Sequence, residues 1–138
     1  MRDNTYDVII IGGGAAGLTA GIYTCRAGLK TLMLERLMPG GQVINAAHIE
    51  NFPGFPDGIS GAEIGPLMQQ QAMKYGLDIR LGEVEELTQN GSYWQASAWG
   101  EDYFGSAVIV AGGSTLRKLG VPGEERTLWC RGVVLRDM

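Results

Sequence analysis

The sequence predicts an α/β domain built on a parallel sheet. Three features lead there. Residues 6–11 end in four consecutive apolar residues and run straight into three glycines. Residues 15–27 then hold no helix breaker other than Gly17 and Gly21, and "KTLMLE" at 30–35 forms a second apolar run. Strand, glycine turn, helix and strand within about 30 residues make a βαβ unit, whose crossover is right-handed in about 98% of cases. An apolar run without polar alternation fits a strand buried on both faces.

The first helix ends where Gly28 stands in the C-terminal cap position. Residues 39–61, "PGGQVINAAHIENFPGFPDGISG", carry three prolines and several glycines, which excludes long regular elements. A loop of this length inside a compact domain is functional or disordered. Its Val43, Ile44, Phe52 and Phe55 favour an ordered, packed loop. Ser60 and Glu63 form a capping-box pair that opens a second helix. Ile64, Leu67, Met68, Gln71, Ala72 and Tyr75 follow at helical spacing, with four or five of them expected in the core, and Gly76 ends the helix. "LDIRLGEVEEL" supplies strands near 78–80 and 83–87, and "SYWQASAW" at 92–99 alternates as a further strand. A turn at Trp99-Gly100 leads into a last strand that ends in the buried run 107–111. After Gly113, "STLRKLGVPGEER" reads as a connector.

The bulk numbers fit one domain. A chain of 138 residues buries roughly 68% of its unfolded surface. Glycine makes up 22 of those residues, about twice the usual ~7%, so tight turns or close backbone approaches are needed. The net charge of −4, with acids and bases interspersed, argues against a nucleic-acid binder, which shows a basic face. No apolar run is long enough for a transmembrane helix. The N-terminus lacks the parts of a signal peptide, so the cytoplasm is the expected location. Cys25 and Cys130 are too few and too far apart for a disulfide scaffold or zinc site, and His48 is the single histidine. Cys25 is expected to be a buried apolar residue and Cys130 incidental. No metal site is expected.

The strongest motif is Gly12-x-Gly14-x-x-Gly17, placed between a strand and a helix, the context a dinucleotide-binding turn requires. The first glycine permits the tight turn, the second leaves room for a pyrophosphate, and the third lets helix and strand pack closely. The phosphates would meet the helix N-terminus, where unpaired N–H groups and the dipole favour anions. Glu35 ends the second strand, 18 residues beyond Gly17. An acid there accepts from a ribose 2′-hydroxyl and would repel a 2′-phosphate. This spacing alone does not separate FAD from NAD.

"GGGAAGLTAGIYTCRAGLKTLMLE", "PGGQ", "IENFPGFP" and "LGVPGEE", in that order, resemble the bacterial thioredoxin reductase family of flavoproteins, class II of the pyridine nucleotide-disulfide oxidoreductases. The likeness spans roughly residues 6–126. It implies a Rossmann-like three-layer FAD-binding domain, with a parallel sheet and an antiparallel β crossover, present here in incomplete form. Residues 1–115 would be its first segment, and 116–138 a remnant of the linker into a missing NADPH-binding domain. Carried over by position, Gly12, Gly14, Ala15, Ala16, Gly17 and Glu35 would hold the ADP part of FAD. Gly41, Gln42 and Asn51 would approach the ribityl chain and flavin, and Val84 would lie near the adenine. "AVIVAGG" resembles the family's element of an apolar strand followed by Ala-Thr-Gly, which puts Ala111 and Gly112 beside the cofactor, with Gly112 replacing the usual threonine.

Two departures from the family limit what the resemblance implies. Its "RGV" segment is followed by a Cys-x-x-Cys redox dithiol. Here Arg131-Gly132-Val133 leads to no such pair, Cys130 lies before that segment, and the sequence contains no Cys-x-x-Cys. The family's chains are also about twice as long, which leaves the NADPH site absent here. The sequence therefore reads as the FAD-binding domain of an NAD(P)H-dependent flavin oxidoreductase, with no catalytic residue assigned and disulfide reduction not expected of this chain alone. Two other readings stay open: a non-catalytic dinucleotide-binding or interaction module, and a truncated, inactive product. Loss of a returning strand would expose a sheet edge, so a homodimer, a missing partner domain or poor solubility is expected.

Overall fold

A computed structural model describes residues 4–115, 117, 120 and 121. Most of the expected linker, and Cys130 with it, lies outside the described residues. Strand β1 (Thr5–Ile11), helix α1 (Ala15–Arg26) and strand β2 (Thr31–Glu35) form the predicted βαβ unit. A short 3-10 helix, Gly41–Asn45, lies inside the long loop, followed by α2 (Gly61–Lys74). Strands β3 (Asp78–Leu81), β4 (Val84–Asn90), β5 (Tyr93–Ala98) and β6 (Glu101–Val110) complete the regular structure of the described residues. The sheet order is β3-β2-β1-β6-β5-β4. The neighbours β3, β2, β1 and β6 run parallel, while β6, β5 and β4 form an antiparallel meander.

Strand β6 belongs to both parts. Its start pairs with β5, from Glu101 opposite Ala98 to Gly105 opposite Trp94. From Phe104 to Val110 it pairs with β1, residues Thr5 to Ile11. Trp99 and Gly100, both at positive φ (47° and 81°), make the tight hairpin turn whose twist matches antiparallel strands. Gly105 permits the passage from one partner to the other, since a side-chain carbon there would lie 2.9 Å from Ile9 Cγ1.

The parallel strands are sandwiched. Val8, Ile10 and Met33 join Leu18 and Ile22 of α1 and Ile64, Met68 and Ala72 of α2 in one buried cluster. Ile9, Leu32 and Leu34 join Ala96, Ala98 and Tyr103 of the meander in a second. These are the helix, sheet and meander layers of the expected three-layer α/β domain. Period-two alternation along β1 and β2 explains how neighbouring residues serve opposite layers. No helix among the described residues is long and apolar enough to cross a membrane.

Helix α2 starts as predicted. Ser60 Oγ accepts from the Glu63 N–H at 3.2 Å, and Glu63 Oε2 accepts from the Ser60 N–H at 3.3 Å. The Ser60 hydroxyl also donates to Glu63 Oε2 at 2.6 Å, and that bond first, then the one from the Ser60 N–H, holds the Glu63 carboxyl below its usual range. The buried face of α2 is narrower than expected. Ile64, Met68 and Ala72 are buried, whereas Leu67, Gln71 and Tyr75 are exposed. Gly61 and Gly65 are buried as well, and a side-chain carbon on Gly61 would lie 1.8 Å from the Val43 carbonyl oxygen. Glycine thus seats the helix directly on the 3-10 helix, which leaves only an i, i+4, i+8 stripe for larger residues. Cys25 is half-buried against the core cluster rather than fully buried, because it sits near the exposed end of α1.

Beneath the meander, Tyr6 donates to Asp78 Oδ2 at 2.7 Å, and Arg80 Nε reaches the same oxygen at 3.2 Å. Burial first, then the hydrogen bond to Asp78, pushes the Tyr6 phenol up from 10.0 to about 12. The fold therefore favours the neutral phenol. Its contribution is complete below the unfolded value of 10.0 and is lost as the pH rises toward about 12. Burial raises Tyr103 in the same sense. Urea midpoints are expected to hold steady on approaching pH 10 from neutrality and to fall above it. Tyr6→Phe should lower the neutral midpoint and shrink the alkaline fall without abolishing it. An alkaline fall of unchanged size in that variant would contradict the assignment to Tyr6.

Candidate functional site

The glycine turn joins the carboxyl end of β1 to α1. Gly12 has φ of 103°, a conformation that strains any residue with a Cβ. Its N–H donates to the Leu34 carbonyl at 2.9 Å, fixing the turn to β2. A Cβ on Gly12 would lie 2.3 Å from the Ala111 carbonyl oxygen, and one on Gly17 would lie 1.9 Å from the Gly12 carbonyl oxygen. The first and third glycines of the motif are therefore required by packing. The second differs. A Cβ on Gly14 would meet only the Gly41 Cα, at 3.9 Å.

Gly14 is the N-cap of α1, with no side-chain cap bond and no acid in the first turn. The opening N–H groups of a helix have no carbonyl partner within it, and its dipole places partial positive charge there. Ala15, Ala16 and Gly17 supply those groups.

The loop after β2 closes on this turn. The Gly40 N–H donates to the Gly13 carbonyl at 2.7 Å, and Gly14 and Gly40 form an isolated parallel bridge. A Cβ on Gly41 would lie 2.9 Å from the Gly14 Cα, so the two backbones touch without side chains between them. Gln42 is exposed, its Oε1 accepting from Asn45 Nδ2 at 3.5 Å.

Glu35 stands where β2 ends, half-buried. Its Oε2 accepts from the Gly13 N–H at 2.5 Å and its Oε1 from the Leu37 N–H at 3.0 Å. The Glu35 carbonyl accepts from the Gly82 N–H at 2.9 Å. That bond brings the start of β4 to the same edge, with the half-buried Val84 two residues further on. At the end of β6, the Ala111 N–H donates to the Ile11 carbonyl at 2.8 Å. Gly112 is exposed, with nothing within 4 Å of where its Cβ would be.

The structure thus gathers Gly12, Gly14, Ala15, Ala16, Gly17, Glu35, Gly41, Val84, Ala111 and Gly112 around the carboxyl ends of β1, β2 and β6. Ligands of open α/β sheets bind in this crevice. Asn51 lies in the segment between the 3-10 helix and α2. It is exposed on the loop closed by the Ile49–Ile59 bridge, and no hydrogen bond among the described residues ties it to the glycine turn. Sequence reasoning missed Gly13, Leu37 and Gly40 as parts of the site. The available signal was three consecutive glycines where the motif needs two, and paired glycines in "PGGQ". No group of three His, Cys, Asp or Glu among the described residues could hold a metal.

Comparison with known proteins agrees with this fold. The family described as pyridine nucleotide-disulphide oxidoreductase matches residues 6–137. The thioredoxin reductase of Bacillus subtilis (strain 168) is 45% identical over 132 residues, which is 96% of this chain and 41% of that protein. That of Listeria monocytogenes is 44% identical over the same shares. Among solved structures, Lactococcus lactis thioredoxin reductase superposes with a TM-score of 0.83 at 41% identity, covering 88% of this chain and 40% of that one. The enzyme of T. acidophilum gives 0.84 at 32% identity, covering 91% and 41%. The chain spans about two fifths of the length of the relatives it matches.

Packing and openness separate two glycines of the site by experiment. Gly17→Ala should cost roughly 1–3 kcal/mol or more, because α1 must lift off the turn. Gly112→Ala should stay within about 0.5 kcal/mol of the parent. Urea denaturation of the two variants checks both, and equal midpoints would refute the seating of α1 on Gly12.

Proposed function

The chain belongs to the pyridine nucleotide-disulphide oxidoreductase family, and from that premise we propose that it binds FAD through the crevice at the glycine turn. The carrying observation is the N-terminus of α1. It has no side-chain cap and no acid in its first turn, and only a distant Cα stands over Gly14. That space and those donors fit a pyrophosphate. In this reading Ala15 and Ala16 offer N–H groups to the phosphates, while Gly12, Gly14 and Gly17 keep the backbone close enough. Glu35 accepts from the ribose hydroxyls, and Val84 packs against the adenine. Gly41 and Gln42 on one side, and Ala111 and Gly112 on the other, lie toward the flavin. Asn51, on its exposed loop, is assigned to the flavin by the family likeness alone.

FAD, when bound, supplies two-electron redox chemistry, and this chain's residues supply binding and orientation. Electron transfer to a disulfide needs a dithiol that this sequence does not contain, so reduction of thioredoxin by this chain alone is not expected. Residues 1–115 then form the FAD-binding segment and 116–138 lead out of it, the nicotinamide site belonging to a part the longer relatives carry. Beyond Gly105, β6 has a strand partner on one side only among the described residues. That free edge supports self-association, which sedimentation would reveal; a monodisperse monomer would count against it.

Titration with FAD, followed by flavin fluorescence, tests the reading. The chain should bind, and Gly14→Val should weaken binding by about 100-fold or more by blocking charge-assisted N–H contacts. Its unfolding midpoint should fall only by the roughly 1 kcal/mol that a β-branched N-cap costs against glycine, so the variant stays folded for the titration. A chain that takes up no FAD would sink the proposal, and unchanged affinity in Gly14→Val would remove the pyrophosphate from this turn.

A further inference from the structure

Glu35 has more backbone partners than a ligand contact at a strand end requires. Its two carboxylate oxygens accept from different loops, Oε2 from the Gly13 N–H at 2.5 Å and Oε1 from the Leu37 N–H at 3.0 Å. Gly13 is buried, so without the carboxylate its N–H would be left buried and unpaired, which is costly. The carbonyl of the same glycine accepts from the Gly40 N–H at 2.7 Å. Gly13 is therefore gripped from both sides. Leu37 lies where the chain leaves β2 and heads for Gly40, so its bond to Glu35 aims that loop at the turn. A Cβ on Gly13 would come within 3.1 Å of Glu35 Cβ and Oε2, which explains a third glycine in a motif that needs two.

We infer that Glu35 is a positioning residue that holds the glycine turn and the 36–40 loop in their ligand-binding arrangement before any dinucleotide arrives. The inference rests on the proposed FAD reading only for what the arrangement is for. Both partners of the carboxylate are donors, so both oxygens must accept. A glutamine offers one acceptor and one donor, and its NH₂ would face an N–H. An ionised carboxylate has about four acceptor sites. Two serve the backbone here and two remain, so holding the turn and meeting a ribose hydroxyl are compatible roles.

Amide hydrogen exchange by NMR on the flavin-free full chain tests this. In Glu35→Ala, exchange at Gly13 and Leu37 should rise about tenfold or more, with Met68 of α2 and Ala96 of β5 unchanged. Glu35→Gln should restore protection at one of the two amides only, and it carries the comparison if the alanine variant does not fold. Unchanged exchange at both amides, with FAD affinity reduced, would overturn the proposal and leave Glu35 as a ligand contact. A uniform rise that includes Met68 and Ala96 would overturn it too, since that is global destabilisation. If the parent chain takes up no FAD but the two amides still respond, the positioning role stands and the FAD reading falls.

Discussion

Where Gly17 meets the carbonyl of Gly12, a side-chain carbon would lie 1.9 Å from the oxygen. The missing carbon lets α1 sit directly on the turn that leaves β1. From that seat Leu18 and Ile22 reach Val8, Ile10 and Met33 across the sheet. The same seat places the helix N-terminus over the carboxyl ends of β1, β2 and β6. The burial that stabilises the domain and the donors that could receive an anion thus come from one close approach. Neither survives a helix standing farther off, because dispersion contacts and hydrogen bonds both fade within an ångström or so.

Glycine does related work elsewhere in the chain. Gly61 seats α2 against the carbonyl of Val43, Gly41 lies against Gly14, and Gly105 passes beside Ile9. At each of these points a backbone takes the place of a side chain in the packing. Just over half of the described glycines mark such close approaches, and the others stand at caps, hairpins and open loops. Glu35 complements them by polar means. It pairs the amide of the buried Gly13 and that of the exposed Leu37, and so ties the loop after β2 to the turn.

Much of the organisation was legible from local chemistry. The apolar run before Gly12, the glycine spacing and the acid at Glu35 specify the βαβ unit. Ser60 and Glu63 specify the start of α2, and Trp99-Gly100 the hairpin. Other features were not legible. Leu67 and Tyr75 fall at helical spacing yet are exposed, because the small residues Gly61 and Gly65 replace them at the interface. Nothing local to β6 says that it also pairs with β1, since Thr5 lies far from its partner Phe104 in sequence.

The sequence by itself determined the α/β class, the order of most elements, the position of the glycine turn and the family resemblance. Each of these is written in residues within one turn or one strand of one another. Only the tertiary structure decided the sheet order, the sharing of β6, the narrow face of α2 and the amides that Glu35 holds. Apart from the nearby Leu37 amide, those depend on which groups meet across about 20 to 100 residues of chain. Composition and spacing carry no record of such distances, because a hydrogen bond is fixed by direction and distance in space.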